Sequence, residues 1–273
     1  MANVESPGPI VVGIDGSEAA KKAAEWAIRE AIHQDVPLRL VHVIQRANVT
    51  SQPIETFALE LEYAQGALRD ASAMVEGAGM PVKCETAVLR GDIDSVLVTE
   101  SSEASLICVG SVGIGQVARK LLGSTAAALA EHAHCPVAII RHDEREPWRQ
   151  NGFIVVEVAD YAGNDDVMRW GMEEARVRSA PLLAVGLRRW TNFEIGYAGL
   201  YRRLDPWLRQ YPDVQVEVAA TRMSLARYLE GYRDTIQLVV IGSESAGNAP
   251  HLLGPHSPAL VAHADCSVLI VRP

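Results

Sequence analysis

Short apolar runs alternate along the chain with longer stretches in which apolar residues recur every three or four positions. An apolar run without helical spacing is typical of a strand that is buried on both faces of a sheet. A repeat of three to four residues is typical of an amphipathic helix. In the first half of the chain these patterns predict strands at residues 10–15, 37–44, 82–88, 106–109 and 136–141, with a helix in each interval.

The helix after the first strand has the clearest boundaries. Ser17 is a favourable N-cap residue, and we predict that the helix begins directly after it. Its apolar positions are almost all alanine, which lets a helix lie close to a sheet. Because strands and helices alternate throughout, the sequence predicts a doubly wound parallel sheet with right-handed crossovers.

The second half of the chain repeats the first. Residues 252–272 align without a gap with residues 121–141, so that Leu-Leu-Gly and a cysteine recur at a constant offset, and residues 154–159 match residues 10–15. We therefore predict two tandem doubly wound α/β domains, each with a five-stranded, mostly parallel sheet flanked by helices. The predicted boundaries are 1–142 and 153–273, with a charged linker at 143–152 that contains Pro147.

A glycine-rich loop follows the fourth predicted strand. Gly110, Gly113 and Gly123 precede Ser124 and Thr125, with the spacing G-x2-G-x9-G-S-T. Glycine lets the backbone adopt positive φ and lets a ligand approach closely, and Ser124 is a good candidate for the N-cap of the next helix. A helix start of this kind binds phosphate through its unpaired N–H groups. The spacing fits neither a P-loop nor a dinucleotide-binding fingerprint. The alternative is that these glycines are ordinary turn residues.

This spacing resembles the ATP-binding signature of the universal stress protein family. The resemblance is strong over residues 10–141 and degenerate over 153–273. It implies that Asp15 and Val43 hold the adenosine part and that Gly13 leaves room for close packing. It also implies ribose and phosphate contacts at Gly110, Ser111, Gly113, Gly123, Ser124 and Thr125. A carboxylate at a strand end can accept hydrogen bonds from a sugar or base, although Asp15 could instead be a plain turn residue before Gly16.

The second copy departs from this pattern. Ala159 stands at the position of Asp15, Ser245 at that of Gly113, and Pro255 at that of Ser124. A proline removes one N–H donor from the helix start. The sequence therefore favours a second domain that keeps the fold and loses the ATP site.

Composition narrows the choice of partners and location. The net charge of −9 disfavours nucleic acid and anionic membranes as partners, since both require a basic surface. The sequence shows no secretory signal and no apolar run long enough to span a membrane. The four cysteines form no C-x-x-C pair, which favours buried, reduced thiols and a cytoplasmic location. We identify no catalytic constellation, and His132, His134 and Cys135 lack the spacing of a metal site.

We therefore expect an ATP-binding stress or growth regulator, with ATP as its ligand and magnesium as an optional companion. Two alternatives stay open, namely a slow ATPase or adenylyl-transfer enzyme, and a protein-interaction module without nucleotide. The resemblance also implies that the last strands of the two repeats pair with each other. Whether two chains form a homodimer is left open.

Overall fold

The computed structural model describes residues 7–46, 54–112, 122–141, 152–159, 161, 163–187, 197–253 and 266–272. The chain forms two compact units. The N-terminal unit comprises Met1–Val117 and Leu122–His142, and the C-terminal unit comprises Ala118–Leu121 and Asp143–Pro273. The predicted linker at 143–152 lies outside the described residues apart from Gly152.

Within its described residues, the N-terminal unit is a five-stranded parallel sheet with four helices. Its strands are β1 (Ile10–Gly13), β2 (Leu38–Gln45), β3 (Cys84–Gly91), β4 (Leu106–Gly110) and β5 (Val137–Ile140). Its helices are α1 (Glu18–Gln34), α2 (Ile54–Gly77), α3 (Ile93–Glu100) and α4 (Ser124–His132). The strand order is β3-β2-β1-β4-β5, and all of these neighbours pair in parallel.

The C-terminal unit has the same topology. Its strands are β6 (Phe153–Val158), β7 (Leu182–Leu187), β8 (Val216–Thr221), β9 (Ile236–Gly242) and β10 (Ser267–Val271). Its α-helices are α5 (Asn164–Val177), α6 (Tyr197–Gln210), α7 (Leu225–Leu229) and α8 (Ala249–Leu253), with 3-10 helices at Glu230–Thr235 and Ser243–Asn248. The order is β8-β7-β6-β9-β10, again parallel throughout. The predicted pair of doubly wound α/β domains is confirmed.

The order of strands fixes where a ligand can bind. From β1 the chain builds outward to β3 on one side, then crosses over to add β4 and β5 on the other. Strand order therefore reverses between β1 and β4, and in sheets of this type the crevice lies there, beyond the carboxyl ends of the strands. Helix α1 packs against α2, and α3 packs against α4, as expected of helix pairs that cover the faces of such a sheet.

Helix α1 begins as its sequence predicts. The Ser17 side chain accepts a hydrogen bond from the Ala20 N–H at 3.1 Å, which makes Ser17 the N-cap. Strand β3 differs from its prediction: it begins at Cys84, two residues late, and continues to Gly91. The physical reason is its pairing partner, because β2 stays in register with β3 as far as Gln45 and Gly91.

Three of the four cysteines are buried as expected, and all four are free thiols. Cys84 differs, since it lies half-buried on the edge strand β3. Burial raises the pKa of its thiol, which opposes formation of the reactive thiolate. Within the described ranges no helix is both long and apolar enough to cross a bilayer.

Two helical glycines give opposite predictions for alanine substitution. A Cβ atom on Gly171 of α5 would overlap Cγ1 of Val156 in β6, a branched side chain with little freedom to move. A Cβ atom on Gly66 of α2 would meet nothing closer than the Arg69 guanidinium, at 3.9 Å. We expect Gly66→Ala to raise the free energy of unfolding by about 0.5–1 kcal/mol, because alanine lowers the entropy of the unfolded chain.

We expect Gly171→Ala to lower the free energy of unfolding by about 1–3 kcal/mol through overpacking. Urea denaturation of the two variants beside the wild type measures both effects. Equal shifts of the two midpoints would contradict the close contact between α5 and β6.

Candidate functional site

A cleft opens at the carboxyl ends of β1, β2 and β4, where the strand order reverses. Its volume is about 320 Å³, within the usual range of small-molecule sites. The structure brings seven of the nine predicted site residues to its wall: Gly13, Asp15, Val43, Gly110, Gly123, Ser124 and Thr125. We call this region the N-terminal cleft. Gly113 lies outside the described residues.

Asp15 is held in place from both sides. Its carboxylate Oδ1 accepts the backbone N–H of Ser17 at 2.9 Å, and its carbonyl oxygen accepts the Tyr63 hydroxyl at 2.9 Å. Gly16, between Asp15 and Ser17, has a φ angle of 89°, a conformation that favours glycine. The turn after β1 therefore carries the carboxylate to the cleft wall in a defined position. The Tyr63 hydrogen bond comes from α2, 48 residues away, and no local pattern could predict it.

His42 belongs to the cleft although the sequence did not identify it. It lines the cavity beside Val43, and its ring meets the Tyr63 ring edge-on, with centroids 5.9 Å apart. Burial lowers its pKa, against the smaller opposing effects of the Ile14 carbonyl and the Asp15 carboxylate. Its Nδ1 is buried and has no hydrogen-bond partner among the described residues. Burial therefore favours the uncharged form of His42, which lies near Asp15.

The cleft floor depends on glycine for packing. A Cβ atom on Gly110 would lie 2.7 Å from the carbonyl carbon of Ala19 and 2.9 Å from the backbone nitrogen of Ala20. Contacts below 3.0 Å with backbone atoms leave no room for any side chain, so only glycine lets the start of α1 meet the end of β4. A Cβ atom on Gly13 would lie 3.2 Å from Val109 Cγ1, which is also tight.

Ser111 lies behind the cleft wall rather than on it. Its side chain is buried, its N–H donates to the Ile140 carbonyl at 2.8 Å, and its carbonyl accepts the Gly123 N–H at 2.8 Å. Its backbone thus joins the end of β4 to β5 and to the start of α4. The phosphate contact that the resemblance implies for Ser111 stays a prediction.

The start of α4 differs from its prediction. Gly123 is the N-cap, with φ of −67° and ψ of 152°, and Ser124 is the first helical residue. The prediction of Ser124 as the N-cap is wrong because the bond from the Gly123 N–H to Ser111 fixes the point at which the chain enters the helix. Glycine has no side chain, so no side-chain cap forms. The first N–H groups of α4 have no partner within the helix, and the residues that carry them, Ser124, Thr125 and Ala126, line the cleft.

The other two helices that begin at the cleft are capped. The side chain of Ser17 caps α1, and the side chain of Asp92 accepts the Ser95 N–H at 3.0 Å to cap α3. Of these three starts only α4 is left without a side-chain cap, and it is the one that follows the glycine-rich loop.

Thr125 uses its hydroxyl within the protein. The hydroxyl donates to Asp94 Oδ1 at 2.7 Å, which joins the first turn of α4 to the first turn of α3. Two apolar residues of α3, Ile93 and Leu97, complete that wall of the cleft. Sequence reasoning missed Asp94 because the contact spans 31 positions and carries no local pattern.

The equivalent region of the C-terminal unit is built differently. Glu157 stands where Gly13 stands in the N-terminal unit, and it is only 2% exposed. The Tyr161 hydroxyl lies against Gly242, the counterpart of Gly110, so that a Cβ atom on Gly242 would overlap it unless the tyrosine moved. The second unit thus has a buried carboxylate at the position of Gly13, and a phenol beside Gly242 where the first unit packs the backbone of Ala19 against Gly110.

The turn after β6 is fixed by an amide. The Asn164 side chain donates to the Glu157 carbonyl at 2.8 Å and accepts the Ala159 N–H at 3.2 Å. Arg203 of α6 donates to the Ala159 carbonyl, as Tyr63 of α2 donates to the Asp15 carbonyl. Both units therefore hold the end of their first strand from the second helix, with a phenol in one and a guanidinium in the other.

The titratable groups on the wall of the N-terminal cleft are few. Among its described lining residues Asp15 and His42 are ionisable, and there is no lysine or arginine. Within the described ranges no group of three or more His, Cys, Asp or Glu residues is arranged to hold a metal ion. Recognition of an anion by these residues would rest on N–H groups and hydroxyls.

Comparison with known proteins gives a consistent result. A model of the universal stress protein family matches residues 8–141. The chain is 44% identical over 263 residues to universal stress protein Rv2624c of Mycobacterium tuberculosis, covering 96% of each chain. It is 40% identical over 281 residues to universal stress protein Rv3134c of the same organism, covering 100% of this chain and 98% of that one.

The fold agrees with solved structures. A crystal structure of a universal stress protein from Archaeoglobus fulgidus superposes with a TM-score of 0.73 at 15% identity, covering 97% of this chain and 96% of the other. At that identity the match supports the fold alone. The similarity to the mycobacterial proteins runs over nearly the whole of both chains, so the chain belongs to the universal stress protein family.

Proposed function

We propose that the protein is a nucleotide-dependent stress or growth regulator that binds ATP in the N-terminal cleft. The observation that carries the proposal is the uncapped start of α4 on the cleft wall. Unpaired N–H groups at a helix start, together with the positive end of the helix dipole, favour a phosphate group. The N–H groups of Ser124, Thr125 and Ala126 would hold the phosphates.

The adenosine part would lie at the other side of the cleft. Hydrogen bonds from Ser17 and Tyr63 fix the backbone turn that carries Asp15. The Asp15 carboxylate is therefore well placed to accept hydrogen bonds from ribose hydroxyls. Val43 lies at the end of β2 with its side chain buried, so its backbone is the group that can reach a base. The apolar side chains of Ile93 and Leu97 supply contact area for the ligand.

We propose a single nucleotide site in each chain. In the C-terminal unit Glu157 places a buried carboxylate at the position of Gly13, and the Tyr161 hydroxyl lies against Gly242, the counterpart of Gly110. Ala159 lacks the carboxylate of Asp15. A second site is therefore disfavoured by side-chain volume and by charge.

There are two alternative functions. One is a slow ATPase or adenylyl-transfer enzyme, and the other is a protein-interaction module without nucleotide. A cytoplasmic location, pairing of the two final strands and a homodimer stay predictions. Magnesium as a companion of ATP is part of the proposal.

Our first prediction for this site concerns bound nucleotide. We expect the freshly purified, acid-denatured protein to release about one adenine nucleotide per chain, with ATP intact, because the proposed regulator holds ATP at one site without turning it over. Chromatography against ATP and ADP standards measures the content. Two nucleotides per chain would contradict the single site, ADP formed rapidly would favour the enzyme, and no retention or binding would favour the module.

Removal of the Asp15 carboxylate tests the adenosine side. We expect Asp15→Ala to weaken ATP binding by about tenfold to a hundredfold, as loss of a charged hydrogen-bond acceptor does. Asp70→Ala is the matched control, because Asp70 is exposed on α2 and lies outside the cleft wall. Titration calorimetry of both variants measures affinity. Equal affinities in the two variants would move the adenosine part away from Asp15.

Substitution of Ser124 tests the phosphate side. Proline is tolerated at the first helical position, and the ψ of 152° at Gly123 suits a residue before proline. We expect Ser124→Pro to leave the free energy of unfolding within about 0.5 kcal/mol of the wild type. ATP binding should weaken about tenfold, because one N–H donor is lost.

Ser124→Ala is the control for this experiment, since it keeps the N–H and loses only the hydroxyl. Equilibrium binding and urea denaturation are measured on both variants. If Ser124→Pro folds normally and binds ATP as tightly as Ser124→Ala, the start of α4 does not hold the phosphates.

A further inference from the structure

We infer that Asp94 selects the charge state of the nucleotide, so that the N-terminal cleft discriminates against the metal-free polyphosphate. The inference rests on the proposed function and adds a residue that the glycine-rich pattern does not contain. Its basis is the contact between Asp94 and the first turn of α4.

The Asp94 carboxylate stands next to the proposed phosphate site. Its Oδ1 accepts the Thr125 hydroxyl at 2.7 Å, and Thr125 is the second residue of α4 and lines the cleft. Asp94 itself is half-buried in the first turn of α3. Partial burial limits the screening of its charge by water and salt.

The hydrogen bond also commits the Thr125 hydroxyl. A hydroxyl has one proton to donate, and this one goes to Asp94. It is then not available as a donor to a phosphate oxygen. The backbone N–H of Thr125 is then the donor left for a phosphate, and the Asp94 carboxylate lies beside the same residue.

The other charges that the described residues bring to the cleft are small or negative, so the charge of Asp94 should affect how a polyphosphate binds. The start of α4 contributes a partial positive charge of about one half. Asp15 lines the same cavity and brings a second carboxylate to it. A metal-free ATP would bring several negative charges toward Asp94 and Asp15. A divalent cation bound to the phosphates neutralises part of that charge, so the cleft favours ATP that carries its own cation.

The test compares three ligands in titration calorimetry: adenosine, ATP with a chelator, and ATP with excess Mg²⁺. Asp94→Asn is the main variant, because an amide oxygen still accepts the Thr125 hydroxyl while the charge is removed. We expect it to bind metal-free ATP about tenfold more tightly than the wild type does. The gain should shrink as ionic strength rises. Adenosine affinity should stay the same, and the gain for ATP with Mg²⁺ should be below about threefold.

The variant Thr125→Val distinguishes the effect of the Asp94 charge from the effect of its hydrogen bond to α4. It breaks the link between α4 and α3 and keeps the Asp94 charge, so it should not reproduce the gain for metal-free ATP. An equal gain in both variants would show that release of the helix is the cause, and the inference would be overturned.

Other outcomes are equally decisive. If Asp94→Asn changes the affinity for all three ligands by the same factor, or leaves that for metal-free ATP unchanged, Asp94 has a structural role and the inference is wrong, while the proposed function stands. If the wild type binds neither adenosine nor either form of ATP, the proposed function and this inference fail together.

Discussion

The close approach of α1 to the end of β4 is the contact on which the N-terminal cleft depends. It is possible because Gly110 has no side chain: any Cβ atom there would meet the backbone of Ala19 and Ala20 below 3.0 Å. This contact places the turn after β1 beside the loop after β4, at the point where strand order reverses. Asp15 and the start of α4 then face one cavity. The glycine is explained by packing before any ligand is considered.

The three helix starts around the cleft differ in whether a side chain caps them. Ser17 and Asp92 cap their helices with side chains, which satisfies N–H groups internally. Gly123 cannot do so, and the N–H groups of α4 stay available on the cavity wall. The start of α4 carries only a small positive charge, so nearby carboxylates affect its interaction with an anion.

The two units show how a repeated fold can diverge at the equivalent region without losing its frame. Each holds the end of its first strand by a donor from its second helix, Tyr63 in one unit and Arg203 in the other. The side chains around that point differ, since the second unit has the buried Glu157 at the position of Gly13 and places Tyr161 beside Gly242. The backbone arrangement is kept by the parallel strand pairing, which does not depend on these side chains.

The sequence by itself determined the alternation of strands and helices, the tandem repeat and the N-cap at Ser17, because each follows from local periodicity or from one side chain bonding its own helix. The tertiary structure decided the rest. The end of β3 was set by its partner strand, the start of α4 by the bond from Gly123 to Ser111, and the hydroxyl of Thr125 by Asp94. These contacts join residues distant in the chain. Their energies depend on where the fold brings the two groups, which no local pattern records.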